Sequence, residues 1–343
     1  MERGPRGETR QPDRRRQLPA AEPRRPGVLR AVLAPGRPAA AQPDVPPARV
    51  PALRVAGADR GRPHRAGRGG LHRPARRGGP ARGRRAAHLQ RAARRAVPGI
   101  GGQIARRLGC RPRSVVDVHN GHCVVFPYML DLARKLLQED GANTALLCVS
   151  QNAGKIFTQP GVRTSAHASV PGDGAAVALV AASDESPVLA TEVHHYFEYA
   201  PDVNITLEDG RLYWEPGTSE MDVGFDNTKA QNVIERGTKI LPEVVRALCG
   251  RIGAGLDDID LLVTNQPNRL LLRNWVRELA IDASRQFDTF DSYGNLFGAG
   301  VPVSLDHALR ADRVAPGSLV VLAGFAGAGE MAAGAAIRWR EKA

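Results

Sequence analysis

Residues 114–136 read SVVDVHNGHCVVFPYMLDLARKL, and the order of features in this stretch decides the fold. The run from Ser114 to Val118 is short and β-branched, as in a buried strand. Beyond Cys123, the residues Val125, Met129, Leu132 and Leu136 recur at helical intervals. Pro127 falls in the first turn of that helix, where its missing N–H costs nothing, and Lys135 lies near the end, where the dipole favours a cation. The pattern is strand, tight turn with a cysteine, helix. At such a turn the unpaired amides and the helix dipole favour a thiolate at Cys123, so a nucleophile is one reading. A small, inert, buried cysteine is the other.

Downstream the alternation continues. TALLCVS near 144–150, GAAVALVAA at 174–182 and SPVLATEVHHYFEYA at 186–200 read as strands, and AQNVIERGTKILPEVVRALCGRI at 230–252 reads as a long helix that Pro242 can bend. IDLLVTNQ at 259–266 is a strand, followed by helices in NRLLLRNWVRELA and GVPVSLDHALRA. SLVVLAGFA and MAAGAAIRW are the last two strands. Just upstream, PGIGGQIARRLG at 98–109 has helical spacing and a glycine stop. Alternating strands and helices predict a layered α/β architecture with a central sheet covered on both sides.

Before Pro98 the composition changes abruptly. Residues 1–97 hold 25 Arg, no Lys and six acidic residues, a net +19, against +13 for the whole chain, so the remainder is acidic by 6. The segment has no Phe, Tyr, Trp, Ile, Asn or Ser, and its few Leu and Val are interrupted by Pro and Gly. It cannot bury enough apolar surface to offset its ordering entropy, so residues 1–97 are expected to be mostly disordered. Arginine without stacking aromatics is a weak nucleic-acid signature, so a nucleic-acid partner is not expected. The absence of Ser argues against an organelle transit peptide. The missing residue types are mostly those with A- or T-rich codons, so the expected origin of the segment is a GC-rich gene read out of frame. The coding DNA tests that expectation.

Cys110, Cys123, Cys148 and Cys249 show no metal or disulfide spacing. No apolar run is long enough to span a bilayer and the start lacks a signal core, so a cytoplasmic protein with no membrane partner is expected.

Five ordered segments resemble one family, the ketoacyl-ACP synthase III enzymes of the thiolase-like fold. DVHNGHCVVF resembles their nucleophile segment and VPGDGAAVALV their Gly-Asp-Gly-Ala strand. LDDIDLLVTNQPNRLLL resembles their His-Gln-Ala-Asn segment, YGNLFGAGVPVSLDHAL their Gly-Asn-Thr-Ser-Ala-Ala segment, and APGSLVVLAGFAGAGEMAAGAAIRW their glycine-rich C-terminal segment. The resemblance covers about 98–340. It implies a thiolase-like layered α/β/α fold whose N-terminal half is incomplete, because family members carry roughly a hundred more residues there. The implied divisions are 1–97, a nucleophile-bearing remnant of the N-terminal half at 98–185, and the C-terminal half at 186–343.

The resemblance implies roles residue by residue. Cys123 attacks an acyl thioester of CoA or acyl carrier protein and holds the acyl group. Its own N–H and that of Gly327 form an oxyanion hole. Asn295 matches the catalytic asparagine, with a plain turn residue as the alternative. Asn265 stands where the family has histidine; an amide still donates a hydrogen bond but cannot shuttle a proton near neutral pH. His119, and after it His122, are candidates for the missing proton acceptor, with loop roles as the alternative.

The remaining histidines carry weaker readings. His194 and His195 alternate across a strand, so only one could face a site, and an exposed face is the simpler reading; His307 reads as a helix-surface residue, and His167 is uninformative. Gly172, Asp173 and Gly174 read as a turn. GFAGAG looks like a dinucleotide loop but precedes no helix.

The expected function is a ketoacyl-ACP synthase III-like acyltransferase. It would condense the acyl group with malonyl-ACP or transfer it to another acceptor in fatty-acid or polyketide-type biosynthesis. A homodimer is expected and no permanently bound cofactor or metal, acyl-CoA or acyl-ACP being the substrate. A catalytically inactive partner of an active homologue is the alternative.

Overall fold

A computed structural model of the chain describes residues 29–31, 54–56, 84–90, 99–138, 143–151, 170–183, 186–207, 209–211, 215–217, 221–225 and 230–340. The expectation of disorder over 1–97 falls largely outside these residues, as does His167. Three strands do lie within 1–97: β1 (Leu29–Ala31), β2 (Arg54–Ala56) and β3 (Arg84–Gln90). They are followed by α1 (Gly101–Leu108), β4 (Val115–Asp117), α2 (Val125–Leu136), β5 (Thr144–Gln151) and β6 (Gly174–Ala181). Then come β7 (Val188–His195), β8 (Val203–Leu207), β9 (Met221–Phe225) and α3 (Ala230–Ile252). The last elements are β10 (Leu261–Thr264), α4 (Arg269–Leu279), β11 (Gln286–Phe287), α5 (Phe290–Tyr293), α6 (Gly300–Arg310), β12 (Leu319–Ala326) and β13 (Met331–Arg338).

The first sheet has the order β1-β6-β5-β3-β4, with β2 also on β6. Strands β4, β3 and β5 run parallel, and β6 returns antiparallel to β5. The second sheet has the order β11-β10-β12-β13-β7, with β10 parallel to β11 and β12 and β13 antiparallel to β12 and β7. Strands β8 and β9 form a separate hairpin that alternation in the sequence did not reveal.

Helices α2 and α6 lie between the two sheets. Phe126, Met129 and Leu130 of α2 share one buried cluster with Leu147 of β5, Ala178 of β6, Val303 and Leu305 of α6, and Leu322 of β12. Each of these side chains larger than alanine contributes about 1.5–3 kcal/mol by leaving water. On the far face of the second sheet, Leu241, Val244 and Leu248 of α3 and Leu272 and Trp275 of α4 cover Leu262, Val321 and Ala336. The Trp275 indole donates to the Gly237 carbonyl at 2.6 Å, which fixes α4 against α3. With α1 against β3 and β4, the layers run helix, sheet, helices, sheet, helices.

Two expectations change. Among the described strands the one at 115–117 is an edge, not a buried strand: Val115 and Val116 are 39% and 37% exposed. A β-branched run reports strand propensity, not which side of the sheet has a neighbour. The Arg-rich segment supplies β3, which fills the slot between β4 and β5. Two parallel strands present unpaired N–H and C=O groups to that slot. Backbone pairing satisfies them whatever the side chains, so hydrophobic period is blind to it.

Candidate active site

Cys123 sits in a 3₁₀ turn, His122–Val124, that leads directly into α2. Gly121 makes the turn possible, since a Cβ there would stand 2.7 Å from the Val125 side chain. His122 takes a left-handed φ of 42°, a conformation that most side chains avoid. No side chain caps α2 and no acidic residue lies in its first turn, so its N-terminal amides face the turn that holds the thiol. The turn leans on β12, where a Cβ on Gly324 would stand 2.8 Å from Val124. Cys123 is half-buried beside Val124, Ala326, Met331 and Ala333.

Asn295 reaches the same region from another loop. Its backbone N donates to the Val170 carbonyl at 2.8 Å and its carbonyl accepts from Gly172 at 2.9 Å, tying it to the segment that enters β6. Gly172 is required there, because a Cβ would stand 2.3 Å from the Tyr293 carbonyl. The Asn295 Oδ1 accepts from the Phe297 N–H at 2.8 Å. That bond fixes the amide's orientation and leaves Nδ2 without a partner among the described residues. The 3₁₀ turn Phe297–Ala299 that follows packs against the cysteine turn, so the two segments meet.

Gly327 ends β12 with a φ of 58° and opens the turn Gly327–Gly329. Among the described residues its N–H has no backbone acceptor, while its carbonyl accepts from Glu330 at 3.1 Å. Cys123, Asn295 and Gly327 are therefore carried by elements in mutual contact with the nucleophile turn or its β12 support.

Asn265 is placed differently from a substrate-facing donor. It is fully buried. Its Nδ2 donates to the Phe325 carbonyl at 2.9 Å and its Oδ1 accepts from the Phe325 N–H at 3.1 Å, while its backbone N donates to Ala323 at 3.2 Å. The side chain thus prolongs the β10–β12 ladder to a point two residues before Gly327. Gln266 joins Thr289 and Ser304 in a buried polar cluster, and Asn268 caps α4 by accepting from Leu271 at 2.9 Å.

The histidines separate clearly. His119 is exposed. The His122 Nε2 lies 4.0 Å from Oε2 of Glu330, a residue the sequence analysis passed over. The only available signal was a carboxylate closing the turn that begins at Gly327. His194 pairs with Glu192 at 3.1 Å, and Arg251 pairs with the same carboxylate at 2.8 Å; His195 is exposed and stacks on Phe197. His307 is half-buried, not a free surface residue: Tyr293 lies across it with its hydroxyl 3.3 Å from Nε2. Burial and then the nearby Arg310 push its pKa below the ordinary 6.5.

Of the remaining thiols, Cys148 and Cys249 have the character of buried, inert groups, while Cys110 is half-buried. Burial and then Cys110 push Cys148 up to about 12, and burial and then Asp258 raise Cys249. Among the described residues no cluster of His, Cys, Asp and Glu could hold a metal, and no helix is long and apolar enough to cross a membrane.

Residues 116–196 match the family profile of 3-oxoacyl-[acyl-carrier-protein] synthase III, and residues 249–339 match that of its C-terminal part. A beta-ketoacyl-[acyl-carrier-protein] synthase III of Rhizorhabdus wittichii is 32% identical over 210 residues, 60% of this chain and 61% of its own length. One from Xanthomonas euvesicatoria is 28% identical over 237 residues, 65% of this chain and 67% of its own. The chain thus spans about 61% of the first relative's length.

Among solved structures, the 3-oxoacyl-(acyl carrier protein) synthase III of Thermus thermophilus superposes with a TM-score of 0.66 at 22% identity, covering 76% of this chain and 78% of its own. OleA of Xanthomonas campestris superposes with a TM-score of 0.61 at 19% identity, covering 74% of each chain. At these identities the likeness shows the fold, which is thiolase-like.

Proposed function

The chain belongs to the 3-oxoacyl-[acyl-carrier-protein] synthase III family, and from that membership we propose an acyltransferase that works through an acyl-Cys123 intermediate. The observation that carries this reading is the meeting of the Cys123 turn, the turn after Asn295 and the end of β12. The Cys123 Sγ attacks the carbonyl carbon of an acyl-CoA or acyl-carrier thioester. The new S–C bond forms, the carrier sulfur departs with its electron pair, and the Cys123 and Gly327 amides stabilise the transient oxyanion.

In condensation, a malonyl carrier then loses carbon dioxide. Its enolate carbon takes the acyl group and Cys123 leaves as thiolate. The Asn295 Nδ2 is the donor for the enolate oxygen, since Oδ1 is held by Phe297. Asn265 acts at a distance in this scheme: its amide fixes the Phe325 backbone and hence the approach to Gly327. No permanently bound cofactor takes part; the carrier or CoA thioester is the partner, and the setting is a cytoplasmic homodimer in fatty-acid or polyketide-type synthesis.

The commitment of Asn265 to β12, with no imidazole in its place, favours one second reading, a silent partner of an active homologue. Incubation with acetyl-CoA and malonyl carrier protein separates the outcomes. Carbon dioxide with a 3-oxoacyl product supports condensation. An ester or amide formed with an added acceptor, without carbon dioxide, supports simple transfer. No product from the chain alone, with a change in an active homologue's rate on mixing, supports the silent partner.

A further inference from the structure

We infer that His122 and Glu330 form an acid–base pair serving Cys123, and so supply the proton acceptor that position 265 lacks; the inference rests on the acyl-cysteine reading above. Three observations meet here. His122 immediately precedes the cysteine in the same 3₁₀ turn, and it holds a left-handed φ of 42°, a conformation that most side chains avoid. Its Nε2 lies 4.0 Å from the Glu330 Oε2, close enough for an ion pair without a direct hydrogen bond, and each side chain is 31% exposed. Glu330 in turn packs on Gly327, where an added Cβ would stand 2.9 Å from that same Oε2. The backbone also fixes it: the Glu330 N–H donates to Gly327 and its carbonyl accepts from Tyr196 at 2.7 Å. The pair therefore spans the short distance between the nucleophile turn and the amide of the oxyanion hole.

Charge explains why both members are needed. A bare carboxylate beside Gly327 opposes the negative charge that grows on a thioester oxygen and opposes a thiolate at Cys123. A protonated His122 beside Glu330 cancels that charge, and the carboxylate in return stabilises the imidazolium. In the acylation step the Cys123 S–H proton passes to the His122 imidazole as the Sγ–carbon bond forms. The carbon–sulfur bond of the donor breaks, and the imidazolium returns the proton to the departing CoA or carrier thiolate. No redox change or further reactant is involved. His119, exposed and one turn away, has no such carboxylate among the described residues.

The test is the rate of Cys123 alkylation by iodoacetamide in the full chain, followed by peptide mapping, with Cys110 and Cys148 as internal references. It uses no acyl donor, so it is independent of whether acyl-CoA loads the enzyme. His122→Asn keeps a residue that tolerates the left-handed backbone, and Glu330→Gln keeps the shape. Each slows Cys123 labelling by about tenfold, and the double variant is no slower than the slower single one, because the residues act as a unit. Cys110 keeps its rate and Cys148 stays protected, showing an intact fold. Unchanged Cys123 labelling in either single variant, or a double effect equal to the product of the two, overturns the pair. If one variant exposes Cys148, the other alone decides. Absence of an acyl adduct in wild type with the labelling pattern intact would remove the acyl-cysteine reading and leave the pair standing.

Discussion

The two sheets are built to different standards. In the second, every residue of β12 is buried, as is every residue of β13 except Arg338, with α2 and α6 on one face and α3 and α4 on the other. In the first, β4 is an edge among the described strands, with Val115 and Val116 over a third exposed, and the neighbouring strand, β3, is written Arg-Arg-Ala-Ala-His-Leu-Gln. Parallel strands buried on both faces normally read as continuous apolar runs. The nucleophile hangs from the weaker sheet yet leans on the stronger one through Val124 and Gly324. The rigidity of the site is therefore set by β12, which also carries Gly327 and holds Asn265.

The largest expected effect follows from that asymmetry. Native-state hydrogen exchange at β12 and β13 runs on the order of a thousandfold slower than at β4, since the latter opens locally while the former opens only with the whole. Equal protection in the two sheets would break the comparison. Next, Gly324→Ala pushes a methyl to 2.8 Å from Val124 and 3.5 Å from its Cα, costing about 1–3 kcal/mol in denaturant unfolding. It also alters the alkylation rate of Cys123.

Asn265→Ala leaves both the N–H and the carbonyl of Phe325 without their side-chain partner in a buried place. A loss of about 1–3 kcal/mol is expected, measured by the same unfolding. Asp117→Ala offers the counterpart in the first sheet. It removes the acceptor of the Gly101 N–H, 3.0 Å away at the start of α1, and costs about 1 kcal/mol. A larger effect for Asp117 than for Asn265 would reverse the ranking of the two sheets.

The smallest effect is one of pH. The His307 pKa is lowered in the folded state by burial and by Arg310, so the unfolded chain binds the proton more readily. Its contribution is present above the ordinary value of 6.5 and is lost as pH falls through the lower, folded value. Unfolding midpoints followed downward from pH 7 drop less steeply in His307→Gln than in wild type.

Legibility in the sequence followed the same division. Strands such as β12 and β13 are uninterrupted apolar runs because both faces are covered, and helices such as α1 announce themselves by spacing and by the left-handed Gly109 that ends it. The Cys123 turn was readable because strand, glycine and helix occur in order within ten residues. β3 was not, since its place depends on backbone groups offered by β4 and β5 across sequence distances that no local window spans. Asn265 and Glu330 were misjudged or missed for a related reason. An amide's partner and a carboxylate's neighbour are set by tertiary register, so one residue type serves equally as a strand clamp or as a substrate donor.

The most direct test of the account is intact-mass analysis of the full chain after incubation with short acyl-CoAs, followed by peptide mapping. The account predicts a single acyl addition on the peptide carrying Cys123, labile to hydroxylamine and missing from Cys123→Ala. A chain that stays unmodified, or a Cys123→Ala variant that gains the same mass, would contradict it.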